Sequence, residues 1–228
     1  MVGDYVAAVA PSAKERIIRA AEWLFAEYGV DNVSLRQIGV AAGNSNNSAV
    51  QYHFGSKDQL IDAIFEYRQP RFRERHALLL AQCQPDDLRG LVEAQARALL
   101  EESELEDSHF MSFTAMLLQH ARWDIFERQS TVLRDSMKRY YDQLRNAMPH
   151  ISEPLRSHRI ATAMGLIVHA ASDREGARRR EEPRLPFAVE LTNLIDGLVG
   201  LLQAPVSPAC TAALDAADPA AVSWRMYL

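Results

Sequence analysis

Three serines, each followed three positions later by Glu or Gln, constrain this chain most strongly: Ser12 with Glu15, Ser34 with Gln37 and Ser56 with Gln59. At that spacing the serine oxygen accepts the N–H of the third helical residue, and the Glu or Gln side chain returns to the serine N–H. Two of the orphan donors at a helix start are then satisfied together. Val33 and Ile38 occupy the two positions of a hydrophobic staple around the second start. Gly29 and Gly43 stand where a left-handed C-cap would end the first two helices. The segment therefore reads as helices over 12–28, 35–42, 47–54 and 57–81.

The rest of the chain keeps the same period. Apolar residues recur at helical spacing almost to Leu202, with no sustained alternation of period two. Further helices are expected near 86–102, 108–127, 130–147, 153–172 and 186–203. The breaks are the acidic SELEDS, the dipeptide Met148-Pro149 and the charged run REGARRREEPRLP, which reads as a solvated linker because its acids and bases interleave. The tail after Gln203 is rich in Ala, Pro and Asp, with room for one short helix on the surface.

Two short helices joined by Gly43-Asn44-Ser45-Asn46 and preceded by a longer one have the arrangement of a helix-turn-helix, whose second member enters the major groove. The side chains that would reach DNA from it are Asn46, Asn47, Ser48, Gln51, Tyr52 and His53. Amides present a donor and an acceptor together, Ser is a compact hydrogen-bonding group, and Tyr and His reach phosphates. Lys57 with the opening N–H groups of the fourth helix would form one phosphate-binding pole, and Ser34 with Arg36 a second. The charge balance pulls the other way. The whole chain carries −5, and between Ser12 and Leu60 the cations Lys14, Arg16, Arg19, Arg36 and Lys57 are matched by Glu15, Glu22, Glu27, Asp31 and Asp58. DNA affinity would then rest on dimerisation and placed contacts rather than on bulk positive charge.

The run from AKERIIRAAEWLFAEYGVDNVSLRQIGVAAG to QYHFGSKDQLIDAIF resembles the DNA-binding domain of the TetR family of repressors. The resemblance implies a homodimer, a palindromic double-stranded DNA operator and a small-molecule effector. The segment Gly43 to Phe54 is one residue longer than the common family pattern, and the position three before Phe54, often Tyr, is Gln51, with Tyr52 next. Either residue can take the customary phosphate contact. The expected fold is all-α: a three-helix DNA-binding domain with a helix-turn-helix over 1–56, a larger helical ligand-binding and dimerisation domain over 57–205, and a tail over 206–228.

In the larger domain His109, Phe113, Met116, His120 and Trp123 fall on one stripe, and Met137 and Tyr140 lie on the inner face of the next helix. Two such faces enclose an apolar pocket with a few polar handles, or simply form a packed core. The last two long helices carry Ile160, Met164 and Ile167 on one stripe and Leu191, Leu194 and Leu198 on the other, with Ala163, Gly165, Gly197 and Gly200 permitting close approach. These faces suit a two-fold four-helix interface or the monomer's own core.

Several functions find little support. Cys83 and Cys210 share no metal-ligand spacing with each other or with a His, so neither a zinc site nor a disulfide framework is expected, and no cofactor is called for. Apolar runs are short, and the N-terminus lacks a basic start followed by a long apolar stretch, which points to a soluble, cytoplasmic chain. The rival readings are a helical enzyme using His109, His120 or a Glu from the acidic stretch, and an adaptor that kept the fold without operator binding. No nucleophile elbow, phosphate-cradling loop or HExxH supports the enzyme.

Overall fold

The computed structural model describes residues 11–44, 49–84, 86–120, 125, 128 and 130–217. Every regular element among them is a helix: α1 Ala13–Tyr28, α2 Leu35–Ala41, α3 Ala49–Phe54, α4 Lys57–Leu80, α5 Leu88–Ser103, α6 Phe110–Gln119, α7 Thr131–Asn146, α8 Leu155–Arg179, α9 Phe187–Gln203 and α10 Pro208–Asp215. No single helix among the described residues is long and apolar enough to cross a membrane.

The first two helix starts form as their sequence requires. Ser12 Oγ accepts from Glu15 N at 3.2 Å while Ser12 N donates to Glu15 Oε2 at 2.7 Å. Ser34 repeats the box with Gln37 at 3.2 and 2.8 Å. The third start is half a box. Ser56 Oγ accepts from Gln59 N at 3.2 Å, but the Ser56 amide is already spent on Phe54 O at 2.8 Å in the tight α3–α4 turn, so Gln59 Oε1 takes the Ser56 hydroxyl instead.

At the end of α2, Gly43 takes φ +69°, its N–H reaches Val40 O, and the Asn44 N–H reaches Gly39 O, each at 3.0 Å. These are the two bonds of a Schellman ending, and the positive φ is the reason for glycine there. Gly29 also has positive φ, but with ψ 154° it sends the chain out extended rather than closing a left-handed cap.

The helices share one core. Ile17, Ala21 and Phe25 of α1 meet Ile38 of α2, Val50 and Phe54 of α3, and Leu60 and Ile64 of α4, all buried. That core runs on without a seam into the larger part of the chain. Phe25 stacks on Phe113 at 6.1 Å between ring centroids, and Phe65 meets Phe110 at 5.6 Å and Phe113 at 5.8 Å. Each such aromatic pair contributes about 0.5–1.5 kcal/mol beyond its burial. Helix α4 serves both halves: its first turns close the three-helix head and its later turns pack on α5.

Three expectations change. Helix α6 is shorter than 108–127, with His109 and His120 as its two end caps. Helix α8 runs on to Arg179, through much of what read as a solvated linker. Its charges are held by partners far away in sequence: Arg174 bonds Glu104 and Leu185 O, and Arg178 bonds Ser103 O. Finally, Ile160, Ile167, Leu191 and Leu198 are buried within this chain's own core, so they do not await a partner. Met164 and Leu194 are half-buried. The face of α8 and α9 left open instead carries Leu166, Val189, Gly165, Gly197 and Gly200.

Candidate nucleic-acid interface

The close pairing of α2 and α3 begins at Gly39, where an added Cβ would lie 3.4 Å from Val50 Cγ2. With Val50 and Phe54 turned inward, α3 must present Gln51, Tyr52 and His53 to solvent. Tyr52 is 86 % exposed, and the His53 ring meets it edge-on with centroids 5.4 Å apart. A large aromatic so exposed on a six-residue helix serves no packing purpose in this chain. Asn46, Asn47 and Ser48 lie outside the described residues.

The two expected phosphate poles differ. At the start of α2, Ser34 is exposed, and its hydroxyl is occupied by Gln37, which accepts from it at 2.7 Å. Arg36 is exposed and has no partner among the described residues, so its guanidinium is free to meet an anion. Lys57, by contrast, turns its Nζ to Val30 O at 2.8 Å and Asp31 O at 3.4 Å, which ties the start of α4 to the α1–α2 loop. Lys57→Met is therefore expected to cost about 2 kcal/mol of stability, read as a lower urea midpoint at an unchanged m-value. A drop in DNA affinity with stability intact would return Lys57 to the contact surface.

Two cations that read only as charge balance turn out to be placed. Lys14 puts its Nζ 5.8 Å from the Phe54 ring centroid, beside the end of α3. Arg16 donates to Ala42 O and Pro11 O, bracing the turn. Two of the five local acids are neutralised from outside the head: Glu22 by Arg68 at 2.7 Å and Glu27 by Arg179 at 3.0 Å. A segment neutral by sequence thus presents a more positive face than its composition suggests.

Glu22 is also the joint between the head and the rest. Fully buried on α1, it accepts both Nε and Nη2 of Arg68 on α4, and its Oε1 takes the His109 N–H at the start of α6 at 2.7 Å. Glu175 of α8, equally buried, accepts Met111 N at 3.2 Å and Ser112 N at 2.9 Å. Two carboxylates from opposite sides therefore grip the positive end of α6. Burial pushes the Glu175 carboxyl up, against the pull of those bonds. Glu22 could have been found: it lies four after Ile18 and three before Phe25, an acid on an apolar stripe.

Of the described residues expected to line one ligand pocket, Met116 and His120 share a cleft, while Phe113 and Tyr140 are packed apart in the core. Phe113 is packed between Phe25 and Phe65, whereas Tyr140 lies under α5, its hydroxyl donating to Leu91 O at 3.2 Å. Met116 is half-buried and His120 exposed, its Nδ1 2.9 Å from Met116 O; the two line a cleft of about 700 Å³ between the end of α1, α6 and α8. Met137 is half-buried and Trp123 lies outside the described residues. His109 is half-buried, and its imidazole is pushed down to about 4 by burial and then by Arg179.

Among the buried polar residues that escaped the sequence reading are His76 of α4 and Gln95 of α5, although each interrupts an apolar stripe. Burial pushes His76 down to about 4. His76 and His109 hold protons less firmly when folded than at their ordinary value of 6.5, so their contribution to stability is present above about 6.5 and is lost as pH falls toward about 4. For His76 alone that window is worth about 3 kcal/mol. His76→Phe should flatten this acid-side loss in denaturation curves taken across the window; an unchanged slope would refute a neutral buried imidazole. Glu175 acts in the opposite sense, its raised value losing stability as pH rises through it.

Residues 17–64 match the family described as bacterial regulatory proteins, tetR family. No curated protein sequence matches the chain. Among solved structures, the chain is similar to the fatty acid degradation regulator FadR from Bacillus halodurans, at 15% identity and a TM-score of 0.54, over 83% of this chain and 96% of that one. It is similar also to PfmR, a TetR family transcriptional regulator from Thermus thermophilus, at 19% identity and a TM-score of 0.52, over 82% and 97% of the two chains. At these identities the likeness is one of fold.

Proposed function

We propose, from the match of residues 17–64 to the tetR family of bacterial regulatory proteins, that this chain is a sequence-specific DNA-binding transcriptional repressor, homodimeric and released from a palindromic operator by a small-molecule effector. The observation that carries this reading is the face of α3. Gln51, Tyr52 and His53 stand out from a helix whose other side is locked under α2, with the free Arg36 at the neighbouring helix start. Exposed hydrogen-bonding and aromatic groups on a rigid second helix are what major-groove readout needs.

Dimerisation is supported by the open face of α8 and α9. Leu166 and Val189 are exposed, and a Cβ at Gly165, Gly197 or Gly200 would meet nothing within 4 Å. Close helix approach across a two-fold axis would bury this face and set the spacing of the two heads. The role is regulatory rather than enzymatic, and it belongs in the cytoplasm, where operators are.

Coupling runs through α6, whose positive end is held by Glu22 from the head and Glu175 from α8. A ligand that displaces α4 or α6 shifts the head through the Glu22–Arg68 joint, and a coupling of about 1–3 kcal/mol changes operator affinity roughly 5- to 150-fold. Selection from a random duplex library with the purified protein tests the reading. Enrichment of a two-fold symmetric motif supports it, and a library that leaves selection unenriched contradicts it.

A further inference from the structure

The effector-binding reading leaves open what binds and where, and the inference that follows rests on that reading. The cleft of about 700 Å³ has the end of α1 and the α1–α2 loop as one wall and α6 and α8 as the others. Small-molecule sites typically span about 300–1,000 Å³. This one lies between the reading head and the rest of the chain, and its loop wall is tied to the head. Val30 and Asp31 line it, and their carbonyls hold Lys57 Nζ at the start of α4, at 2.8 and 3.4 Å.

Much of the hydrogen-bonding capacity in this cleft is unspent. The side chains of Asp31, Gln119 and Ser172 line it, and none has a hydrogen-bond or ion-pair partner among the described residues. Arg179, on the same wall, donates from Nη2 to Glu27 at 3.0 Å, while its Nε has no partner. Asn32 donates its Nδ2 to Tyr28 O at 2.9 Å. The charges are of both signs: Asp31 and Asp173 face the same space as Arg179 and Arg180. Apolar surface is also present, from Ala115, Met116 and Tyr28, the last 58 % exposed at the end of α1.

We propose that this cleft is a binding site for a neutral, polyhydroxylated molecule of mono- to disaccharide size. The lining selects that chemistry. An anion would face Asp31 and Asp173, and a cation would face Arg179 and Arg180, so a ligand of either charge is opposed by part of the wall. A hydroxyl is opposed by neither, because it donates to a carboxylate and accepts from a guanidinium or an amide N–H. Several hydroxyls on one ring engage Asp31, Gln119 and Ser172 together, while the C–H face of the ring packs on Tyr28 and Met116. A molecule held there touches both the α1–α2 loop and α8, and the loop carries its position to Lys57 and the α3–α4 turn.

Isothermal titration of the purified full-length protein with glucose, galactose, sucrose, trehalose and myo-inositol tests the site, with glucose 6-phosphate and choline as the charged probes. At least one neutral compound is expected to bind at one site per chain with a Kd on the order of 1 mM or tighter, and neither charged probe measurably. Ser172→Ala, Gln119→Ala and Tyr28→Ala should each weaken that compound about tenfold. The melting temperature should stay put, since the first two side chains have no partner to lose and Tyr28 is exposed. Affinity equal to wild type in all three variants would overturn the proposal, as would absence of binding across the neutral panel, or a charged probe binding as tightly as the best neutral one. Duplex selection on the same preparations reads the regulator hypothesis separately. Sugar binding without DNA binding would count against the regulator alone, and DNA binding without sugar binding against this site alone.

Discussion

Glu22→Ala is expected to lower the stability of the chain by about 3–5 kcal/mol, the largest single-residue effect outside the apolar core. The substitution leaves the Arg68 guanidinium, 11% exposed, without its bidentate carboxylate and strips the His109 N–H of its acceptor. An unpaired buried charge costs far more than the pair itself contributes, so the remedy is specific. Removing the partner as well, in Glu22→Ala with Arg68→Met, should recover much of the loss, because two apolar groups replace two desolvated charges. Urea denaturation of the wild type, both single variants and the double variant gives the coupling directly. Additive losses in that cycle would show that the pair is not a unit and would remove the joint from the account of coupling.

The second large effect falls on DNA alone. Tyr52→Ala is expected to weaken affinity for the cognate duplex about 5- to 150-fold, corresponding to about 1–3 kcal/mol for a well-placed interaction removed. Because Tyr52 is 86 % exposed and supports no core packing, the melting temperature should not move. Arg36→Ala should weaken all sequences alike and reduce the slope of log affinity against log salt by about one for each phosphate no longer neutralised. The pair of variants thus separates a contact made from α3 from one made at the start of α2. Full-strength binding in Tyr52→Ala would take that residue off the interface and leave Gln51 as the candidate for the same role.

Local physics made the reading head legible in the sequence. Two of the three serine boxes form as written, Gly43 closes α2, and the alternation of Val50 and Phe54 with Gln51, Tyr52 and His53 fixes which side of α3 faces out. Each depends on residues within five positions of one another, which is the range over which a sequence states its own geometry. What failed was decided at long range. The run from Arg174 read as a solvated linker because its acids and bases interleave, yet Arg174 finds Glu104 and Glu190, and Arg179 finds Glu27. The stripe from His109 to His120 read as continuous, whereas these two residues occupy the cap positions at the ends of a ten-residue helix. For Ile160, Ile167, Leu191 and Leu198, an apolar stripe does not say whether a partner or the same chain will cover it. Glu22, His76 and Gln95 are the instructive misses, since a polar residue interrupting an apolar stripe is visible in the sequence and marks either a buried network or a site.

The central claim is that the exposed face of α3 reads DNA sequence. It is tested most directly by mobility shift of the purified protein on the intergenic duplex beside its own coding sequence, with excess unrelated duplex as competitor and salt varied across the series. The account predicts a shift that survives the competitor, weakens steeply with salt and is lost in Tyr52→Ala at concentrations that saturate the wild type. A shift abolished by the competitor, or one that persists unchanged in Tyr52→Ala, would contradict it.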